Sequence, residues 1–124
     1  MAATRFISMH IGKGKSVAES IKGRTDYAEN PDKTDGGRLV TSFGCNARIV
    51  GAEFLLAKRQ YTAIAGKQIR KHDVLAYQIQ QSFKPGEVTP EEANKIGYEL
   101  AMRFTKGKHA FIVATHIDKA HIHN

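Results

Sequence analysis

Residues 89–118 read TPEEANKIGYELAMRFTKGKHAFIVATHID, and within them the hydrophobic period changes. Thr89-Pro90-Glu91-Glu92 is a capping box with proline at the first helical position, where its missing N–H costs nothing. Ala93, Ile96, Gly97, Leu100, Ala101 and Phe104 follow at i, i+3, i+4, i+7, i+8 and i+11, the buried stripe of a helix packed on a sheet. Gly107 stops that helix. Over 109–118 the period falls to two, with Phe111, Val113 and Ile117 on one face and Ala110, Ile112, Ala114, His116 and Asp118 on the other. A helix followed by a strand is the unit from which the rest of the chain is read.

Upstream, 74–83 reads as a strand with Leu75, Tyr77, Ile79 and Phe83 on an apolar face and Ala76, Gln78, Gln80 and Ser82 on a small, polar one. Before it lies the basic stretch 66–72 (GKQIRKH). A helix capped by Asn46 precedes that stretch, its stripe running through Val50, Phe54, Ala57 and Tyr61. Residues 38–43 (RLVTSF) form a short strand after the Asp35-Gly36-Gly37 turn. The N-terminal unit is a strand over 5–11, a break at Gly12 and Gly14, and a helix capped by Ser16 that runs toward Tyr27. The expected fold is α+β, a largely antiparallel sheet with helices packed mainly on one face. Residues 1–124 form one domain, and because the chain stops at Asn124 inside the opening of another strand, the reading is of a domain cut within its final strand.

Composition narrows the function. The 124 residues contain 19 Lys and Arg against 12 Asp and Glu, a formal charge of +7, which points to an anionic partner. With 41% apolar and 25% charged residues the chain is neither disordered nor fibrous. No apolar stretch reaches the ~20 residues of a membrane span, so membrane insertion is not expected. Cys45 is the single cysteine and there is no signal segment, so the expected compartment is the reducing cytoplasm.

His116, Asp118, His121 and His123 fall within eight residues, HIDKAHIH. If Lys119-Ala120 is a two-residue hairpin loop, Asp118 faces His121 and His116 faces His123, so all four side chains share one face. Cβ atoms about 4.5–5.5 Å apart suit two imidazoles on one divalent ion. The competing reading is an exposed polar hairpin face that binds nothing, and Lys-Ala suits a looser loop better than a tight turn.

The ending HAFIVATHIDKAHIHN (109–124) resembles the H-x-D-x-x-H-x-H motif of the HUH-type mobilisation relaxases of plasmids and integrative elements, the MobA/VirD type that includes the T-DNA border endonuclease. RTDYAENPDKT (24–34), QQSFKPGE (80–87) and TPEEANKIGYELAMRFTKGKHAF (89–111) are similar to segments of relaxases from Gram-positive mobile elements. The resemblance implies a nickase that cuts one strand at a transfer origin through a tyrosine, leaving a 5′-phosphotyrosine, with a divalent metal (Mg²⁺ or Mn²⁺) drawing charge off the scissile phosphate. It implies single-stranded and origin-of-transfer DNA as partners, together with a relaxosome accessory protein and a coupling protein. Its metal ligands map onto His116, His123 and the residue after Asn124, with His121 as an additional candidate and Asp118 and Ser82 in support. The 124-residue chain alone is therefore expected to bind metal weakly and not to nick.

Tyr27, Tyr61, Tyr77 and Tyr98 compete for the nucleophile. Tyr61 and Tyr77 fall on apolar faces and read as core, and Tyr98 sits one step off a buried stripe. Tyr27 lies among charged residues, early in the chain where the resemblance places the nucleophile, and is the chosen candidate. Lys13, Lys15, Arg24, Lys67, Arg70, Lys71 and Lys84 are candidate DNA contacts, though a charge run is often only a solvated face. Gly12-Lys13-Gly14-Lys15-Ser16 lacks the spacing of a nucleotide-binding loop. The remaining alternatives are a basic nucleic-acid-binding module without chemistry and a His-metal phosphodiesterase that uses activated water.

Overall fold

The computed structural model describes residues 3–124. Strands and helices alternate in the expected order: β1 (Ala3–Met9), α1 (Val17–Ala28), β2 (Val40–Phe43), α2 (Val50–Ala65), β3 (Ala76–Ser82), α3 (Pro90–Thr105) and β4 (Phe111–Ala114). Both capping boxes form. Ser16 Oγ accepts from Glu19 N–H at 3.1 Å at the start of α1, and Thr89 Oγ1 accepts from Glu92 N–H at 3.2 Å at the start of α3. Asn46 caps a 3-10 turn, Ala47–Ile49, that leads into α2, and α2 ends at Gly66 in the left-handed conformation, φ 67°.

β1 pairs antiparallel with β3, Phe6 opposite Ile79, and β2 pairs antiparallel with β4, Thr41 opposite Val113. Residues 122–124 join the two ladders. On one side Asn124 N–H donates to Gln81 O (2.8 Å) and Phe83 N–H to Ile122 O (2.9 Å); on the other His116 N–H donates to His123 O (2.7 Å). The spatial order is therefore β1, β3, residues 122–124, β4, β2. The end of the chain, expected as the opening of a further strand, lies in the middle of the sheet.

Directly opposed residues share a face, so Ser82, His123 and His116 form a row on one side. Their neighbours Gln81, Asn124 and Thr115 point to the other side, which α3 covers. Asn94 of α3 donates to Leu39 O (2.8 Å) and Thr115 Oγ1 (3.1 Å), and accepts from Thr41 Oγ1 (3.1 Å). Thr115 Oγ1 donates to Asn124 Oδ1 (2.6 Å), and Asn124 Nδ2 donates to Gln81 Oε1 (2.9 Å) and Ala93 O (2.7 Å). This buried polar chain ties both ladders to α3. Gly97 makes the close approach possible: a Cβ there would meet Asn124 Nδ2 at 2.6 Å and Val113 Cγ1 at 2.8 Å.

On the histidine side Met9, Ile21 and Leu75 form the core, flanked by Phe54 and Leu55 of α2. Two of the stripes read from the sequence leave the core before their ends. In α2, Val50 is buried but Ala57 and Tyr61 are exposed, because only the first half of the helix packs on α1. In α3, Phe104 is 57% exposed and rests on Phe6 (centroids 5.4 Å). Tyr77, expected in the core, is exposed and stacks on Phe6, while Leu75 joins Met9 inside.

Candidate active site

The row of histidines meets the C-terminal end of α1. His116 is buried, and its Nε2–H donates to Ala28 O at 2.8 Å. His123 Nδ1 lies 3.3 Å from His121 O. A carbonyl only accepts, so His116 carries its proton on Nε2 and turns the Nδ1 lone pair toward His123 Nε2, 3.2 Å away. With its proton on Nε2, His123 donates to that lone pair; with its proton on Nδ1, both facing nitrogens are free to share a cation. Imidazole nitrogens each about 2.1 Å from one ion stand roughly 3.0–3.4 Å apart at ordinary coordination angles. Ligand atoms of His116, Asp118 and His123 all lie within 4.8 Å of one another, so an imidazole pair and a carboxylate fit a divalent ion here. The Ala28 carbonyl does what the outer partner of a ligating histidine does, fixing the tautomer that leaves Nδ1 free.

Burial pushes the His116 imidazole below its ordinary pKa, and the neighbouring His123 adds to this against the pull of the Ala28 carbonyl. Asp118 Oδ2 accepts from Lys33 Nζ at 2.7 Å, which holds the carboxyl below its usual range and raises Lys33. The same ammonium lies over the Tyr27 ring, 5.3 Å from its centroid. Tyr27, 58% exposed at the end of α1, sets its edge against His116, with centroids 5.9 Å apart.

The structure thus gathers Tyr27, His116, Asp118 and His123, with Ser82 beside His123 on the same face. His121 stands apart: it is exposed, and its Nδ1 turns to Phe83 O at 3.3 Å. The tight hairpin that would set Asp118 against His121 does not form. Residues 118–121 make bends instead, and Asp118 reaches across to Lys33. The other tyrosines are engaged elsewhere: Tyr77 on Phe6, Tyr98 against Phe111 (5.3 Å), and Tyr61 beneath the Lys58 ammonium (5.9 Å). Lys15 and Arg24 line a cleft beside Tyr27, and Lys13 is exposed in the same turn as Lys15. Lys67, Arg70 and Lys71 are exposed in the loop after α2, and Lys84 follows Phe83. Sequence reasoning assigned nothing to Lys33 or to the Ala28 carbonyl, because contacts spanning more than 80 residues leave no local signal.

A family model described as the nuclease domain of MobA/VirD2-like relaxases matches residues 27–124. The Group II intron-interrupted relaxase LtrB of Lactococcus lactis subsp. cremoris (strain MG1363) is 32% identical over 117 residues, covering 79% of this chain and 21% of its own length. Protein rlx of Staphylococcus aureus is 35% identical over 114 residues, 92% of this chain and 31% of its own. A second protein rlx of that species is 32% identical over 124 residues, all of this chain and 31% of its own. The chain therefore spans less than a third of the length of these relatives. No solved structure matches it. Among the described residues no helix is long and apolar enough to cross a membrane.

Proposed function

The chain belongs to the MobA/VirD2-like relaxase family through its nuclease domain, and from that premise we propose that it nicks one DNA strand at a transfer origin by transesterification onto Tyr27. The phenol oxygen bonds to phosphorus and the P–O3′ bond breaks. The phenol proton passes to solvent, and the departing 3′ oxygen takes one up to become a hydroxyl. The nicked strand is left joined to Tyr27 through its 5′ phosphate.

The observation that carries this reading is the edge of Tyr27 against His116, whose Nδ1 faces His123 Nε2 at 3.2 Å. Bound there, a divalent ion such as Mg²⁺ or Mn²⁺ would polarise the scissile phosphate. His116, His123 and Asp118 are the residues that would hold it. The Lys33 ammonium lies over the Tyr27 ring, and Asp118 holds it there. The exposed ring leaves room for a single strand to lie against it.

The test incubates this domain, extended past Asn124 so that it carries the whole histidine motif, with Mn²⁺ and a single-stranded oligonucleotide covering its transfer origin, then seeks a detergent-resistant adduct by electrophoresis and peptide mapping. The expected attachment is at Tyr27. Tyr27→Phe, which removes only the hydroxyl, abolishes the adduct and leaves DNA affinity within about twofold. Attachment at Tyr61, Tyr77 or Tyr98 overturns the assignment, and cleavage without an adduct means an activated water is attacking.

A further inference from the structure

Tyr27 stands mostly exposed at the end of α1, where its ring meets the His116 imidazole (centroids 5.9 Å apart) and the Lys33 ammonium (5.3 Å from the ring centroid). A side chain so exposed has other staggered rotamers open to it, and each swings the hydroxyl away from the histidines. The two contacts select this one.

Lys33 is unlike a surface lysine. Its side chain is 20% exposed, against 74% for Lys22, and Nζ donates to Asp118 Oδ2 at 2.7 Å. A pinned turn delivers the stem: Asn30 O accepts from Lys33 N–H (2.9 Å) and Thr34 N–H (3.1 Å), and Thr34, wholly buried, adds its hydroxyl to the same carbonyl at 3.0 Å. Lys33 O in turn accepts at 2.8 Å from the N–H of Ile117, which lies between His116 and Asp118. Backbone and side chain of one lysine therefore both reach the histidine strand. The ammonium spans the gap between the Tyr27 ring and a carboxylate of the ion-binding group, in which ligand atoms of His116, Asp118 and His123 lie within 4.8 Å of one another. With its charge offset by Asp118, this ammonium is better suited to holding a ring than to attracting a phosphate.

We propose that Lys33 is a positioning residue for the transesterification, holding the Tyr27 ring against His116 so that the phenol and the ion-binding group keep one spacing when the strand arrives. The inference rests on the reading of Tyr27 as nucleophile and adds what fixes it in place. Preset geometry of this kind acts on the rate of the chemical step, because a nucleophile already aligned need not be gathered in from other rotamers. Strand affinity does not depend on it.

The first measurement needs neither metal nor DNA. In the whole chain, the nuclear Overhauser effect between the Tyr27 and His116 ring protons is compared among the native protein, Lys33→Met, Lys33→Arg and Lys108→Met, an exposed cation outside the site. It is expected to fall by about threefold or more in Lys33→Met and to persist in the other two, since methionine keeps the stem without the charge and arginine keeps a cation for both the carboxylate and the ring. The Ile117 amide, bonded to the Lys33 carbonyl, reports whether the turn survives, and its hydrogen exchange should be unchanged in every variant. Loss of the Overhauser effect together with Ile117 protection would make Lys33 a folding residue and overturn the assignment. The second measurement follows a single turnover in the domain extended past Asn124, with Mn²⁺ and the origin oligonucleotide. Lys33→Met is expected to form the Tyr27 adduct about 10–100-fold more slowly at saturating strand, with half-saturation shifted by no more than about twofold, and Lys33→Arg to recover most of the rate. A weaker half-saturation at unchanged maximal rate overturns the assignment, because that marks a strand contact; an unchanged Overhauser effect in Lys33→Met overturns it as well. If that effect falls while the adduct maps to another tyrosine, the reading of Tyr27 as nucleophile falls; if the adduct forms at Tyr27 at full rate in Lys33→Met, the role of Lys33 alone falls.

Discussion

At the scale of single residues the site is organised by where each imidazole spends its proton. His116 gives its N–H to Ala28 O, which turns its Nδ1 lone pair toward His123 Nε2, while His123 Nδ1 lies against His121 O. His121 takes no part in that arrangement. Calorimetry with Mn²⁺ should therefore show His116→Ala and His123→Ala losing at least tenfold in affinity and His121→Ala losing less than twofold. The pH dependence follows from the burial of His116. Its pKa is lowered in the folded chain, so the neutral, ligating form persists below the free imidazole value of ~6.5. Without metal, stability should hold above that value. It should decline as pH falls through it, because the unfolded chain takes up the proton first. A stability that rose as the solution was acidified through this range would contradict the account.

At the scale of elements, α3 serves as the base on which the site's strand rests. It reaches the sheet closely only because Gly97 has no Cβ to press on Asn124 and Val113. Gly97→Ala should push Asn124 away and carry the adjacent His123 with it. Overpacking of this kind costs about 1–3 kcal/mol, which exceeds the gain in helix propensity of up to about 1 kcal/mol. Urea unfolding should report a net destabilisation, with weaker Mn²⁺ binding in the same variant. A more stable Gly97→Ala protein with unchanged metal affinity would mean that α3 has room to retreat. The ends of α1 and α3 are secured locally by their capping boxes, whereas α2 depends on α1 for the burial of Val50 and Phe54.

At the scale of the whole molecule, two antiparallel ladders become one sheet through residues 122–124, and the candidate site sits at that seam. Asn124 is its fastening, with partners on β3, on α3 and at Thr115. Asn124→Ala should leave Thr115, Gln81 and the Ala93 carbonyl short of partners, at a cost of about 1–3 kcal/mol in unfolding free energy. Hydrogen exchange should locate that loss: the amides of Gln81, Phe83 and His116 should exchange faster. Equal acceleration throughout β1 and α1 would show that the ladders unfold as one unit whatever joins them.

Much of this was legible along the chain, where the physical cause is local. Ser16 with Glu19 and Thr89 with Glu92 mark helix starts because a cap is made within four residues. Period-two and period-3.6 patterns placed β4 and α3 because a side chain's face depends on its own position in the repeat. The clustering of His116, Asp118 and His123 was visible for the same reason. How far a stripe stays buried was not visible, since Tyr61, Tyr77 and Phe104 are apolar in pattern but the layers that would cover them end short. Only tertiary structure separated His121 from the other histidines, brought Lys33 between Asp118 and Tyr27, and buried Asn94 and Asn124 as a polar seam. Each of these depends on groups far apart in the chain finding hydrogen-bond partners at once, and a polar residue's sequence neighbours carry no record of the distant partner that makes its burial favourable.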